Sequence, residues 1–147
     1  MDLAAVEVLS GQLLPCVVTT SESPESCQVA VSFDEVNVIY GQGYDFEVAL
    51  QVLRAELEAR GLHLLCNRYR RDAYVTSLSR QLSRGLGCYL VVPRRPVDPD
   101  KIVDCLAAAG QSDVVSAAEA DAFIARWKAR LPILRLLIRS WRGWRET

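Results

Sequence analysis

Between positions 68 and 84 the chain carries Arg68, Arg70, Arg71, Arg80 and Arg84. A guanidinium offers a planar fork that donates two parallel hydrogen bonds, the geometry that receives a carboxylate or a phosphate. Asn67, Tyr69 and Asp72 stand among the first of these arginines, directly after an apolar run. A polar connection at the end of a buried strand is where a partner or a small anion would be met. Asn67, Arg68, Tyr69, Arg70, Arg71, Asp72, Arg80 and Arg84 are therefore the candidate partner-binding residues, with Gly85 and Gly87 allowing a close backbone approach. The competing reading is structural: Asp72 pairs with a neighbouring arginine, Asn67 caps a turn, and the glycines only shape the start of a strand.

The C-terminal stretch is also basic. From Ile124 to Thr147 there are 7 basic residues and one acid, a balance of +6; from Met1 to Phe123 there are 10 basic and 17 acidic residues, a balance of −7. Past Pro132 the spacing predicts a basic amphipathic helix or tail over 132–147. Arg135, Arg139 and Arg142 fall on one face, and Leu137, Ile138 and Trp141 on another. With Trp144 these residues suit an anionic membrane surface, a partner's groove, or nucleic acid, where charge holds phosphates and rings stack on bases. Alternatively the apolar side packs back on the domain and the arginines balance its acids.

Nothing else has the pattern of a reaction centre. Gly41-Gln42-Gly43 lacks the lysine and Ser/Thr of a phosphate-cradling loop, and Asp45 and Glu47 put negative charge where a phosphate would sit. It reads as a turn that breaks a strand. His63, the one histidine, lies between Leu62 and Leu64, where a packed side chain is a simpler reading than a base. Cys16, Cys27, Cys66, Cys88 and Cys105 are odd in number and form no Cys-x-x-Cys pair, which argues against zinc or a disulfide framework. Free core thiols are expected, with no cofactor and no metal.

The elements that would position these residues follow from periodicity. Val6–Leu9 and Leu13–Thr19 read as strands around a Ser10-Gly11-Gln12 turn, followed by a polar loop over Thr20–Ser26. Cys27, Val29, Val31 and Phe33 alternate with polar or small residues, and Val36, Val38 and Tyr40 continue the alternation past Asp34-Glu35, which predicts a hairpin. Asp45 then caps a helix whose Phe46, Ala49, Leu50, Leu53 and Leu57 share one face, stopped by Gly61. Leu62–Cys66 has apolar residues on both faces and reads as a central strand. Ser77–Arg84 suits a short helix, Leu86–Val92 a strand, and Asp98-Pro99 the start of a helix to about Ala109. Ser116 and Glu119 form a capping box for a last helix with Ala120, Phe123, Ile124, Trp127 and Leu131 on one side.

That order predicts an α+β domain over 1–131, with a mostly antiparallel sheet, one long helix packed on a face, and C-terminal helices. A chain of 147 residues, half of them hydrophobic, can bury a core without metal or disulfides. The acidic start and the lack of a long apolar run predict a cytoplasmic protein.

Leu53 to Leu62, Leu64 to Asn67, Arg71 to Tyr74, and Arg84-Gly85-Leu86-Gly87 with Tyr89 resemble a group of small uncharacterised bacterial proteins, over about residues 49–92. The resemblance implies a bacterial origin and a compact α+β fold, and no chemistry. Small acidic bacterial domains of this shape are often immunity proteins, an analogy of fold alone. The expectation is a non-enzymatic module that binds a protein partner, in one form an immunity-type protein neutralising a toxin or effector. A peripheral membrane or nucleic-acid contact through the tail is the alternative. An enzyme using Arg68, Arg71 and Asp72 on a small anionic substrate is a third reading.

Overall fold

The computed structural model describes residues 1–131. The predicted tail helix, with Arg135, Arg139, Trp141, Arg142 and Trp144, lies outside them. The fold is α+β, built on two antiparallel sheets. Strands β1 (Asp2–Glu7), β2 (Leu13–Glu22), β3 (Cys27–Ser32), β4 (Val38–Gly43) and β5 (Leu62–Leu64) form the first, in the order β4-β3-β2-β1-β5. Strands β6 (Ala73–Tyr74), β7 (Gly87–Leu90) and β8 (Ile102–Asp104) form the second, in sequence order.

Alternation sets the faces of the larger sheet. Cys27, Val29 and Val31 are buried while Gln28, Ala30 and Ser32 are half-buried, the period-two pattern of a strand with one covered face. Strand β2 runs further than its sequence suggests. Thr20, Ser21 and Glu22 pair with Val29, Gln28 and Cys27, so the expected loop over Thr20–Ser26 shrinks to its last four residues. Ladder hydrogen bonding outweighs the polar side chains, which are exposed, with Glu22 held by Arg84. The Asp34 carboxylate accepts from the backbone N–H of Val36 and Asn37 at 2.8 and 2.7 Å and closes the β3–β4 hairpin. These bonds favour its charged form and hold its pKa below the ordinary aspartate value.

Helix α1 (Phe46–Ala59) covers the inner face of that sheet. Asp45 caps it by accepting from Val48 N–H at 2.9 Å, and its buried face is Phe46, Ala49, Leu50, Leu53 and Leu57. Gly41-Gln42-Gly43 is not the expected turn. It belongs to β4, and a Cβ on Gly41 would stand 2.1 Å from the Ala49 carbonyl oxygen. Glycine is required there because the helix backbone lies directly on the strand.

Strand β5 sits at the sheet edge against β1, not at the centre. Its apolar content is explained by neighbours outside the sheet: Cys66 bridges Ala108, and Ala109 N–H donates to Leu65 O at 3.1 Å. The helix expected from Asp98 to Ala109 does not form. Asp98 accepts from Asp100 N–H in a turn, Ile102–Asp104 pairs with β7, and the Asp104 carboxylate accepts from Leu106 N–H to end the strand. β-Branched Ile102 and Val103 complete a sheet there, and local side-chain caps compete with a helical ladder.

Helix α2 (Ser77–Ser83) is capped by Thr76 and Ser79 in a reciprocal box. Helix α3 (Ala117–Ala129) takes only half of its predicted box: Ser116 accepts from Glu119 N–H, but Glu58 of α1 accepts from Ala117 N–H at 2.7 Å. The main core joins residues of both sheets and α1; a smaller one holds Val91, Trp127 and Leu131. All five cysteines are buried and free. No helix among the described residues is long and apolar enough to cross a membrane.

Candidate functional site

The segment after β5 turns inward instead of facing solvent. Asn67–Tyr69 forms one 3-10 turn, and its backbone is stitched to the chain around 105–115: Asn67 N–H to Ala107 O, Arg68 N–H to Cys105 O, and Arg71 N–H to Asp113 O, each at 2.9 Å. The Asn67 side chain donates to Asp104 O at 3.1 Å. Tyr69, expected at the surface, is 1% exposed, and its hydroxyl donates to Leu50 O. A tyrosine that fills the core beneath α1 offers a partner nothing.

The arginines divide by what they hold. Arg68 forks onto Glu47 with Nε to Oε2 at 2.8 Å and Nη2 to Oε1 at 2.6 Å, both side chains only about an eighth exposed (13% and 12%). Burial works against the Arg68 charge, but the Glu47 carboxylate outweighs it, so its pKa is raised. Arg70 forks onto Asp72 at 2.8 and 3.0 Å and reaches Asp113. Arg80 meets the capping Asp45 and the Tyr44 hydroxyl, each at 2.8 Å. Arg84, at φ 54, joins Glu22 at 3.0 Å and Ser23 O at 2.9 Å. Gly85 and Gly87 make room for Glu47 and Ile102 of the chain itself, not for a ligand. Of the eight candidate residues, Arg71 alone is exposed. The structural reading of this cluster, with Asp72 paired to its neighbour, accounts for most of it.

Two of these arginines nevertheless share a cavity. Arg68 and Arg80 line a space of about 360 Å³ with Glu47, Tyr74, Lys128 and Arg54. Arg54 belongs to α1 and was not among the candidate residues. It is 4% exposed, donates through Nη2 to Tyr69 O and Val115 O at 3.2 and 2.7 Å, and lies 4.9 Å over the Tyr69 ring. Its spacing from Leu50 and Leu57 already put it beside the apolar stripe, the one signal that could have found it. Arg71 and Asp72 are not among the cavity's walls, so the enzyme reading on Arg68, Arg71 and Asp72 loses its assembly. His63 is half-buried, and burial lowers its pKa. Among the described residues no three His, Cys, Asp or Glu side chains gather as metal ligands.

A second group was not singled out from the sequence. Arg94, Arg126 and Arg130 are exposed and surround an apolar slot of about 130 Å³ formed with Pro93, Phe123 and Trp127. None of the three makes an ion pair among the described residues. The slot is rigidly framed. Trp127 Nε1 donates to Val92 O at 3.1 Å and Arg95 O at 3.0 Å, and Arg95 N–H donates to Val92 O at 3.2 Å. That clamp holds Arg94 at φ 63, in the left-handed region, which costs an L-residue roughly 1–2 kcal/mol. Strain kept at an exposed, charged position is an observation that points to use. The group escapes sequence reading because Pro93-Arg94-Arg95-Pro96 looks like a plain stiff loop, and its contact with α3 spans some thirty residues. No family model matches the chain and no curated protein matches it, so its function rests on this geometry.

Proposed function

We propose that the chain is a protein-binding module whose contact surface is the basic end of α3 together with the loop after β7. The observation that supports this best is Arg94, Arg126 and Arg130, without an ion pair among the described residues, around a slot floored by Phe123 and Trp127. Arginine and tryptophan dominate the energetic centres of protein interfaces. The fitting partner is a protein segment with one apolar or aromatic anchor flanked by acidic residues. The anchor fills the slot, and its carboxylates meet guanidinium forks that hold no carboxylate among the described residues. Arg126, Lys128 and Arg130 concentrate basic charge at this end of α3, and such a concentration speeds encounter with an acidic partner.

The acidic remainder, −7 up to Phe123, favours this partner over nucleic acid or an anionic membrane. A long run of phosphates would have to pass that body, whereas a short acidic segment would not. An immunity-type role is one form of the reading, in which the masked toxin or effector offers the acidic segment. Free thiols throughout the core suit a reducing compartment such as the cytoplasm.

The test is selection from a displayed peptide library against the full chain, followed by affinity measurement. Acidic peptides with a central aromatic residue should be enriched. Substituting Arg94, Arg126 and Arg130 together by alanine should weaken them at least about a hundredfold, since several charge-assisted bonds at roughly 1.5 kcal/mol or more each are lost. Undiminished peptide binding in that variant overturns the reading. So does an RNA oligonucleotide or an anionic vesicle that binds more tightly than any peptide.

A further inference from the structure

The cavity between α1, β6, α2 and α3 is built differently from the slot, and its chemistry points to a different ligand. Its inner wall holds Glu47, Arg54 and Arg68; Arg80 of α2 and Lys128 of α3 stand toward its mouth. Arg54, Arg68, Arg80 and Lys128 bring four positive charges against two negative ones, Glu47 and Asp121, among the lining residues. Both oxygens of Glu47 are taken by Arg68.

The donors are not all spent. Arg54 uses Nη2 on two carbonyls and Nε at 3.5 Å from Glu58; Arg68 uses Nε and Nη2 on Glu47; Arg80 uses Nε and Nη2 on Asp45 and Tyr44. Nη1 of each meets no acceptor among the described residues. No fully buried side-chain nitrogen lacks a partner among the described residues, so each of these Nη1 atoms keeps some access to solvent, and all three residues line the cavity. The Lys128 ammonium lies 4.9 Å over the Tyr74 ring, held near the same mouth.

Stability alone is a weak reason for this arrangement. Taking a carboxylate and two guanidinium groups out of water costs several kcal/mol per ion, and a well-packed apolar cluster of equal volume does as well or better. A space of this size falls within the range of small-molecule sites, and it sets an apolar wall of Ala120, Ile124 and Val75 against convergent charged groups. In a partly desolvated cleft an anion is held more strongly than at an open surface.

We propose that this cavity binds a small organic anion, its carboxylate or phosphate group received by Arg54, Arg68, Arg80 and Lys128 and its apolar body laid against Ala120 and Ile124. The site is independent of the slot on the other side of α3's basic residues and does not require the protein-binding reading.

Titration calorimetry of the full chain with succinate and with phenyl phosphate tests it and separates the two anion chemistries. At least one of them should saturate at one site. Lys128→Gln, an exposed change that leaves the fold alone, should weaken that probe about tenfold, the loss of one charge-assisted bond. Ala125→Trp, also exposed and at the cavity wall, should abolish it by filling the space. The alanine variant of Arg94, Arg126 and Arg130 should bind it unchanged. If neither probe saturates, or if binding survives both Lys128→Gln and Ala125→Trp, or if it is lost with the three surface arginines, the proposal is wrong.

Discussion

Arginine is the residue that organises this molecule, and its roles were only partly visible along the chain. The density of guanidinium groups between 68 and 84 was plain, as was their fitness for carboxylates. Which carboxylates they would hold was not. Glu47 lies 21 residues from Arg68, Asp45 lies 35 from Arg80, and Glu22 lies 62 from Arg84, and no local pattern announces pairs made by folding across such distances. The same blindness hid Arg94, whose neighbours come from α3. Its strain gives a direct test. Arg94→Gly removes the Cβ clash of the left-handed conformation, about 1–2 kcal/mol, and gives back roughly half of that through a freer unfolded chain. Chemical denaturation should show a gain of about 0.5–1 kcal/mol, together with weaker peptide binding. A loss of stability would mean that the arginine side chain supports the loop and that its conformation is not stored strain.

Elements with a full repeat of their own period were legible, and elements defined by a neighbour were not. Helix α1 shows an N-cap, an uninterrupted apolar stripe and a left-handed glycine stop, at φ 70 on Gly61, within its own residues. The β3–β4 hairpin carries its alternation and its Asp34 turn in the same way. Strand β8 has three residues and exists because β7 is beside it; from Asp98 onward a capped helix was an equally local solution. The Gly41-Gln42-Gly43 segment misled for the opposite reason: glycine signals a break unless another backbone needs the space. The Gly41 site therefore tests the packing of α1 on β4. Gly41→Ala puts a methyl 2.1 Å from Ala49 O and 2.5 Å from Leu53 N, both backbone atoms of a buried helix. Overpacking of this kind costs about 3 kcal/mol, and Gly41→Ala should unfold at a correspondingly lower denaturant concentration. Gly11→Ala, with open space around it but φ 72, should cost only about 1 kcal/mol. Equal losses at the two positions would show that the helix can lift from the strand.

Two sheets sharing one core make the cysteines reporters on the whole fold. Cys16 and Cys27 come from β2 and β3, Cys66 follows β5, Cys88 lies in β7 and Cys105 follows β8, and the main core includes all five. Burial pushes the Cys66 thiol up to about 12. It raises Cys16 and Cys27 as well, and Cys105 goes up because the Cys88 sulfur beside it and burial both disfavour a second thiolate. Cys88 goes the other way, its pKa lowered by the hydrogen bond with Cys105, and is shielded by burial alone; a thiol out of solvent does not attack a disulfide reagent. The folded chain at pH 8 should therefore consume almost no aromatic disulfide reagent, and the denatured chain should consume five equivalents. Because the two sheets are joined by common side chains rather than by a linker, the reaction in dilute denaturant should proceed with one rate for all five, equal to the opening of the whole molecule. Peptide mapping of the modified chain separates the alternatives. If Cys88 and Cys105 are labelled well ahead of Cys16 and Cys27, the smaller sheet opens by itself. The slot and the cavity, both of which depend on residues after β5, would then sit on the less stable part of the protein.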